Sequence, residues 1–151
     1  MIEGAKQELK RADHLIFVSL KYTRTMDVLA SVIKRLISSL ELVLEAILQW
    51  LLKKKKIKAI PSTYKNKIEV IRANFKKDVT IQEMLKFYSY LMRIDKAEHS
   101  GRGEFRKGVT LIAIDELGDV IGEINLEKIK EFYLKTIELV DYTGEMLDNK
   151  K

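Results

Sequence analysis

No cysteine occurs among the 151 residues, which excludes disulfides, thiolate metal sites and cysteine nucleophiles, and fits a reducing compartment. Only two histidines, His14 and His99, are present, so little remains to ligate a metal; neither a metal nor a cofactor is expected. The single proline, Pro61, leaves long stretches without a helix breaker. Nor is there an uninterrupted apolar run. The most apolar stretch, Met26 to Leu52, contains Lys34, Arg35, Glu41, Glu45 and Gln49, whereas a bilayer span needs about 20 predominantly apolar residues, so no membrane is expected. The first residues, MIEGAKQELKRAD, lack an apolar run ending in small residues, and a cytoplasmic location follows as the expectation.

What the chain does have is charge. Charged residues make up 33% of it, a lysine- and glutamate-rich usage like that of heat-adapted proteins. Between Lys53 and Lys77 ten basic residues face one acid, Glu69; between Asp115 and Asp148 ten acids face Lys128, Lys130 and Lys135. Such a split steers a polyanion to one side of a molecule, or lets two copies dock head to tail. For Lys53, Lys54, Lys55 and Lys56 the plainer alternative is a set of solvated lysines offsetting the negative end of a helix dipole.

The hydrophobic residues, 46% of the chain, suffice for one core, and a single domain over residues 1–151 is expected. Ala5, Leu9, Ala12, Ile16 and Leu20 share one face of a first helix, with His14 pointing away from it into solvent. Leu15 to Val18 are apolar on every side, which predicts that protein surrounds them. Thr25 is placed to cap a helix of about 28 residues, about 42 Å long, whose seam Leu29, Ile33, Leu36, Leu40, Val43, Ile47 and Trp50 alternates steps of four and three. So long a helix suggests that a second subunit covers part of its apolar face. Pro61 ends that segment, and Ser62 or Thr63 starts a shorter helix through Tyr64, Ile68, Ile71 and Phe75. Thr80 and Glu83 have the spacing of a capping box for the next helix, with Gly101 as its C-terminal cap. VTLIAIDELGDVIGEIN reads as a β-hairpin turning at Glu116 to Asp119, and Asn125 caps a last helix in which Leu126, Ile129, Tyr133, Ile137, Val140 and Leu147 face inward, with Asn149 to Lys151 frayed. The fold class is therefore mainly all-α: a bundle of about five helices with one small β-hairpin before the last.

Chemistry concentrates between Thr80 and Gly108. On a helix continuing past Lys96, Asp95 and His99 fall within about 20° of Tyr88 and so point toward the core, while Arg93 lies about 140° away. An aspartate so placed fixes the tautomer of a histidine serving as general acid or base. The alternative is an ordinary i,i+4 pair near a helix end. Arg102, Arg106 and Lys107 follow in a glycine-rich loop with Phe105, a composition suited to phosphate, or simply a connection between elements.

Arg93-Ile94-Asp95-Lys96-Ala97-Glu98-His99, in a small helical bundle, resembles the R-x(4–6)-H motif of the HEPN superfamily. The overall pattern also resembles helical proteins of archaeal type. The superfamily resemblance implies a bundle that dimerises, joins the motifs of two chains and in many members cleaves RNA without metal, with Arg93 stabilising the transition state and His99 transferring the proton. Ile94 stands where active members carry a polar residue. Two functions are thus expected side by side: RNA binding with metal-independent cleavage through Arg93, His99 and Asp95, where Lys53, Lys54, Lys55, Lys56, Arg102, Arg106 and Lys107 hold phosphates; or a non-enzymatic homo-oligomeric scaffold, dimer or larger, that meets itself or another protein partner.

Overall fold

The computed structural model describes residues 1–149. The first helix, α1 (Ile2–His14), passes without interruption into a π-helical turn (Leu15–Ser19) and a closing turn α2 (Leu20–Tyr22). Ala5, Leu9, Ala12, Ile16 and Leu20 are all buried. From Ala12 onward the apolar residues recur every four positions, and the wider π turn keeps Ile16 and Leu20 on the face that Ala12 began. The same widening turns Phe17 and Val18 outward, 51% and 42% exposed, so this segment is not enclosed as its composition suggested. Phe17 instead meets the edge of Tyr133, with Lys130 over its ring.

Thr25 caps α3 (Met26–Lys53), its hydroxyl accepting from Val28 N. Along this helix Leu29, Val32, Ile33, Leu36, Ile37, Leu40, Val43, Leu44, Ile47, Leu48 and Leu51 are buried, one face wider than a narrow stripe, with Asp27, Ser31, Lys34, Arg35 and Gln49 exposed on the other side. The chain's own α1, α4 (Tyr64–Asn74), α5 (Val79–Lys96) and α6 (Leu126–Asn149) lie against it and bury these side chains. α1 is antiparallel to α3: buried Ser39 donates to Ala5 O, and Arg35 pairs with Glu8 one turn away. α4, capped by Thr63, runs parallel to it, from Lys67 paired with Glu45 to Phe75 against Trp50. α5 returns antiparallel, with Tyr88 donating to Glu41 and Asp95 pairing with Lys34.

The start of α5 lies two residues before the expected capping box. Asp78 is the N-cap: one carboxylate oxygen accepts from Ile81 N at 3.0 Å and the other from the Tyr142 hydroxyl at 2.7 Å. A carboxylate that can do both outcompetes Thr80, which lies inside the first turn. The other end differs as well. Ala97 is extended (φ −71°, ψ 163°), and Gly101 belongs to a strand rather than to a cap.

That strand, β1 (Glu98–Arg102), pairs antiparallel with β2 (Thr110–Ile114), which pairs antiparallel with β3 (Val120–Ile124). The hairpin is present, and its outer edge is extended into a three-stranded sheet. Asp115 Oδ1 accepts from Leu117 N and Asp119 N to close the turn, where Gly118 takes φ +84°. Asn125 caps α6 by accepting from Lys128 N. Ile129, Val140 and Leu147 are buried as expected, but Phe132, Thr136, Leu139, Thr143 and Met146 are buried too, while Leu126, Tyr133 and Ile137 sit at the margin. Asn149 is still helical; Lys150 and Lys151 lie outside the described residues.

Replacing Asp78 by alanine is expected to lower the unfolding free energy by about 1–2 kcal/mol in urea titration, whereas Glu83→Ala should stay within about 0.5 kcal/mol of wild type. Equal losses at the two positions would return the cap to Thr80. Burial, reinforced by its hydrogen bond to Glu41, pushes the Tyr88 phenol far above its ordinary range. Burial and the bond to Asp13 push Tyr133 up to about 12. The unfolded phenols ionise near 10, so the stability from keeping them neutral is complete below pH 10 and is lost as pH rises beyond it. Between pH 10 and 12 the unfolding free energy should therefore fall more steeply for wild type than for Tyr88→Phe or Tyr133→Phe; parallel curves would contradict this.

Candidate functional site

Because α5 stops at Lys96, the residues expected on one helical face are divided between a helix and a strand. Arg93 is exposed and lines an open groove of about 330 Å³ with Lys96, Glu98, Asp115, Glu116 and Ile121. His99 lies in β1 opposite Ala113, which is fully buried, so the two side chains share the core side of the sheet. Its neighbour Glu98, opposite Ile114, faces the groove with Arg93. Within one chain, then, Arg93 and His99 look out on opposite sides of the sheet.

His99 Nε2 lies 2.7 Å from Ile94 O, one of the last carbonyls of α5. A carbonyl only accepts, so Nε2 carries the proton and donates, and Nδ1 is the nitrogen left to exchange one. Asp95 does not orient this ring. Its Oδ1 accepts from Lys34 Nζ at 2.8 Å, tying α5 to α3. The helical Asp95–His99 pairing read from the sequence is thus corrected: the turn that would carry it is unwound, since the β1–β2 ladder claims those backbone groups.

The basic loop is tied down at its base. The Glu104 carboxylate accepts from Met26 N, the first amide of α3, at 3.3 and 3.4 Å, and Phe105 N donates to Arg24 O at 2.6 Å. Phe105 holds φ +67° and is 75% exposed, with Arg106 and Lys107 exposed beside it. Arg102 is engaged by Glu123 at 3.1 Å. This loop therefore sits at the N-terminal end of α3.

Lys53, Lys54, Lys55 and Lys56 close the opposite end. Lys56 N donates to Leu51 O and Lys55 N to Leu52 O, a Schellman closure in which Lys55, at φ +60°, occupies the left-handed position that glycine usually fills. The 28-residue helix between them separates these lysines from Arg102, Arg106 and Lys107 by about 42 Å. The seven cations read as one phosphate-binding set are two sets at opposite ends of the bundle.

The lysine end is larger than expected. Trp50 rests on Phe75, ring centroids 6.1 Å apart, so Lys76 and Lys77, which follow Phe75, emerge beside the lysines that follow Trp50. Lys76 and Lys77 line an open groove of about 640 Å³ together with Asp78, Thr80 and Tyr142. Among the described residues none of Lys53, Lys54, Lys55, Lys56, Lys76 or Lys77 forms an ion pair. The pattern in the sequence that announces this joining is the Phe75-Lys76-Lys77 triplet one α4 length after Pro61, which has meaning only once α4 is known to run parallel to α3.

Among the described residues no group of three or more His, Asp or Glu side chains is placed to hold a metal ion, and no helix is long and apolar enough to cross a membrane. No protein-family model, no curated protein and no solved structure matches this chain.

Proposed function

We propose that the chain is an RNA-binding helical protein of HEPN-like type, and that it holds RNA phosphates with the lysine-rich end of the bundle. One observation carries this reading: Lys53, Lys54, Lys55, Lys56, Lys76 and Lys77 converge where α3 and α4 end, exposed and without an ion-pair partner among the described residues. A dipole explanation accounts for one or two lysines in a last turn. It does not account for a lysine kept at the left-handed Lys55 position, where glycine would avoid a backbone cost of about 1 kcal/mol. Within a chain Arg93 lines an open groove while His99 is on the core side of the sheet with Nε2 held by Ile94 O, so binding rather than cleavage is the function proposed. A homo-oligomeric scaffold is the second reading, favoured by the outer strand β3, where Val120 is 58% exposed beside the 86% exposed Leu117.

Trp50, the sole tryptophan, lies one turn from these lysines and reports on them by fluorescence. Titration with a single-stranded oligoribonucleotide at low salt should quench or shift it, with log K falling against log salt by about 0.7 per phosphate engaged. Changing Lys53, Lys54, Lys55 and Lys56 together to glutamine should weaken binding at least tenfold, while the Arg106→Gln, Lys107→Gln pair should leave it nearly unchanged. Lys55→Gly should bind more weakly yet unfold later, by about 0.5–1 kcal/mol. A wild-type protein that ignores RNA at low salt would contradict the proposal and leave the scaffold reading.

A further inference from the structure

A second cationic feature lies on the flank of the bundle, away from both ends of α3. Gln7, Lys10, Arg11 and His14 recur at i, i+3, i+4 and i+7 along α1 and so form one stripe, and Arg35 reaches them from antiparallel α3. Together with Leu15 they line an open groove of about 330 Å³. Glu8 sits behind it with its side chain only 13% exposed. One of its oxygens accepts from Arg11 Nη1 at 2.6 Å and the other from Arg35 Nη1 at 3.2 Å. A single carboxylate thereby holds two guanidiniums from two helices side by side.

Exposed ion pairs of this kind add little stability by themselves. The imbalance is what points to a ligand. Three permanent cations, Lys10, Arg11 and Arg35, share the groove, and no acid lines it among the described residues; Glu8 offsets one charge and uses both oxygens to do so. Each arginine keeps further N–H donors free, in forks suited to tetrahedral oxyanions. The His14 imidazole is exposed and makes no hydrogen bond to the described residues. Leu15 supplies an apolar wall for whatever the anion is attached to.

We propose that this groove binds the phosphate group of a phosphomonoester, held by Arg11 and Arg35 with Lys10 and His14 beside them. The site is independent of the lysine-rich end and of the RNA reading. The phosphate has two candidate sources, a free nucleoside monophosphate or the 5′-phosphate of an oligoribonucleotide.

The chain's two histidines make the test direct, since proton NMR resolves His14 in the groove from His99, whose Nε2 is occupied by Ile94 O. Inorganic phosphate added at constant pH and constant ionic strength should move the His14 ring signals saturably and leave those of His99 in place. In the Arg11→Gln, Arg35→Gln protein the apparent affinity should fall at least tenfold, with Lys10→Gln giving a smaller loss; circular dichroism confirms that each variant is folded. No movement of His14, equal movement of both histidines, or undiminished movement in the double variant would overturn the proposal. Adenosine 5′-monophosphate and a pair of oligoribonucleotides, with and without the 5′-phosphate, then assign the source. Tighter binding of the mononucleotide than of inorganic phosphate marks a small ligand, and binding that requires the oligonucleotide's 5′-phosphate marks an RNA end.

Discussion

An apolar face as broad and as long as that of α3 has to be dried by several elements at once, and this requirement governs the molecule. Leu29, Val32, Ile33, Leu36, Ile37, Leu40, Val43, Leu44, Ile47 and Leu48 form one broad buried face along which α1, α4, α5 and α6 lie, while Asp27, Ser31, Lys34, Arg35 and Gln49 keep the remaining side exposed. Several polar groups that remain inside are hydrogen-bonded, while Arg24 Nε and Trp50 Nε1 are buried without a hydrogen-bond partner among the described residues. Ser39 donates to Ala5 O, Tyr88 to Glu41, and Thr136 and Thr143 to carbonyls of their own helix. Cations find no room along α3 except at its ends and on the strip where Lys34 and Arg35 reach past α5 and α1 to Asp95 and Glu8.

The placement of function follows from that exclusion. The lysines after Trp50 and Phe75 collect at one end because both helices finish there. α6 brings its acidic half to the same end, since Tyr142 bonds Asp78 at the start of α5. A polyanion meeting this end is attracted on the α3–α4 side and repelled by Asp141 and Glu145 on the other, an arrangement that orients as well as attracts. At the far end of α3, about 40 Å away, the β1–β2 loop has a structural role. Glu104 satisfies the first amide of α3, so the glycines and charges that suggested a phosphate loop include one that caps a helix.

Much of this was legible in the amino-acid order. The seam of α3, the caps at Thr25, Thr63 and Asn125, the buried stripe of α1 and the hairpin around Gly118 all follow from periodicity and turn chemistry. What escaped was decided by tertiary partners. Asp78 wins the cap of α5 because Tyr142, 64 residues away, takes its second oxygen. Glu98 to Arg102 become a strand only because β2 offers a ladder, and that change moves His99 off the helix on which its pairing with Asp95 depended. The π turn follows from a four-residue recurrence that an ideal helix cannot keep on one face. The stripe of Gln7, Lys10, Arg11 and His14 has plain helical spacing, but it forms a groove only with Arg35, which the sequence places 21 residues beyond His14.

The claim on which all of this rests is that one chain encloses α3 unaided. Native-state hydrogen exchange followed over a twentyfold dilution tests it most directly. The amides of residues 36–48 are predicted to exchange only through global unfolding, at the slowest rates in the molecule and with no dependence on protein concentration. Protection of these amides that weakens on dilution would mean that a second copy dries the helix, and would contradict the account.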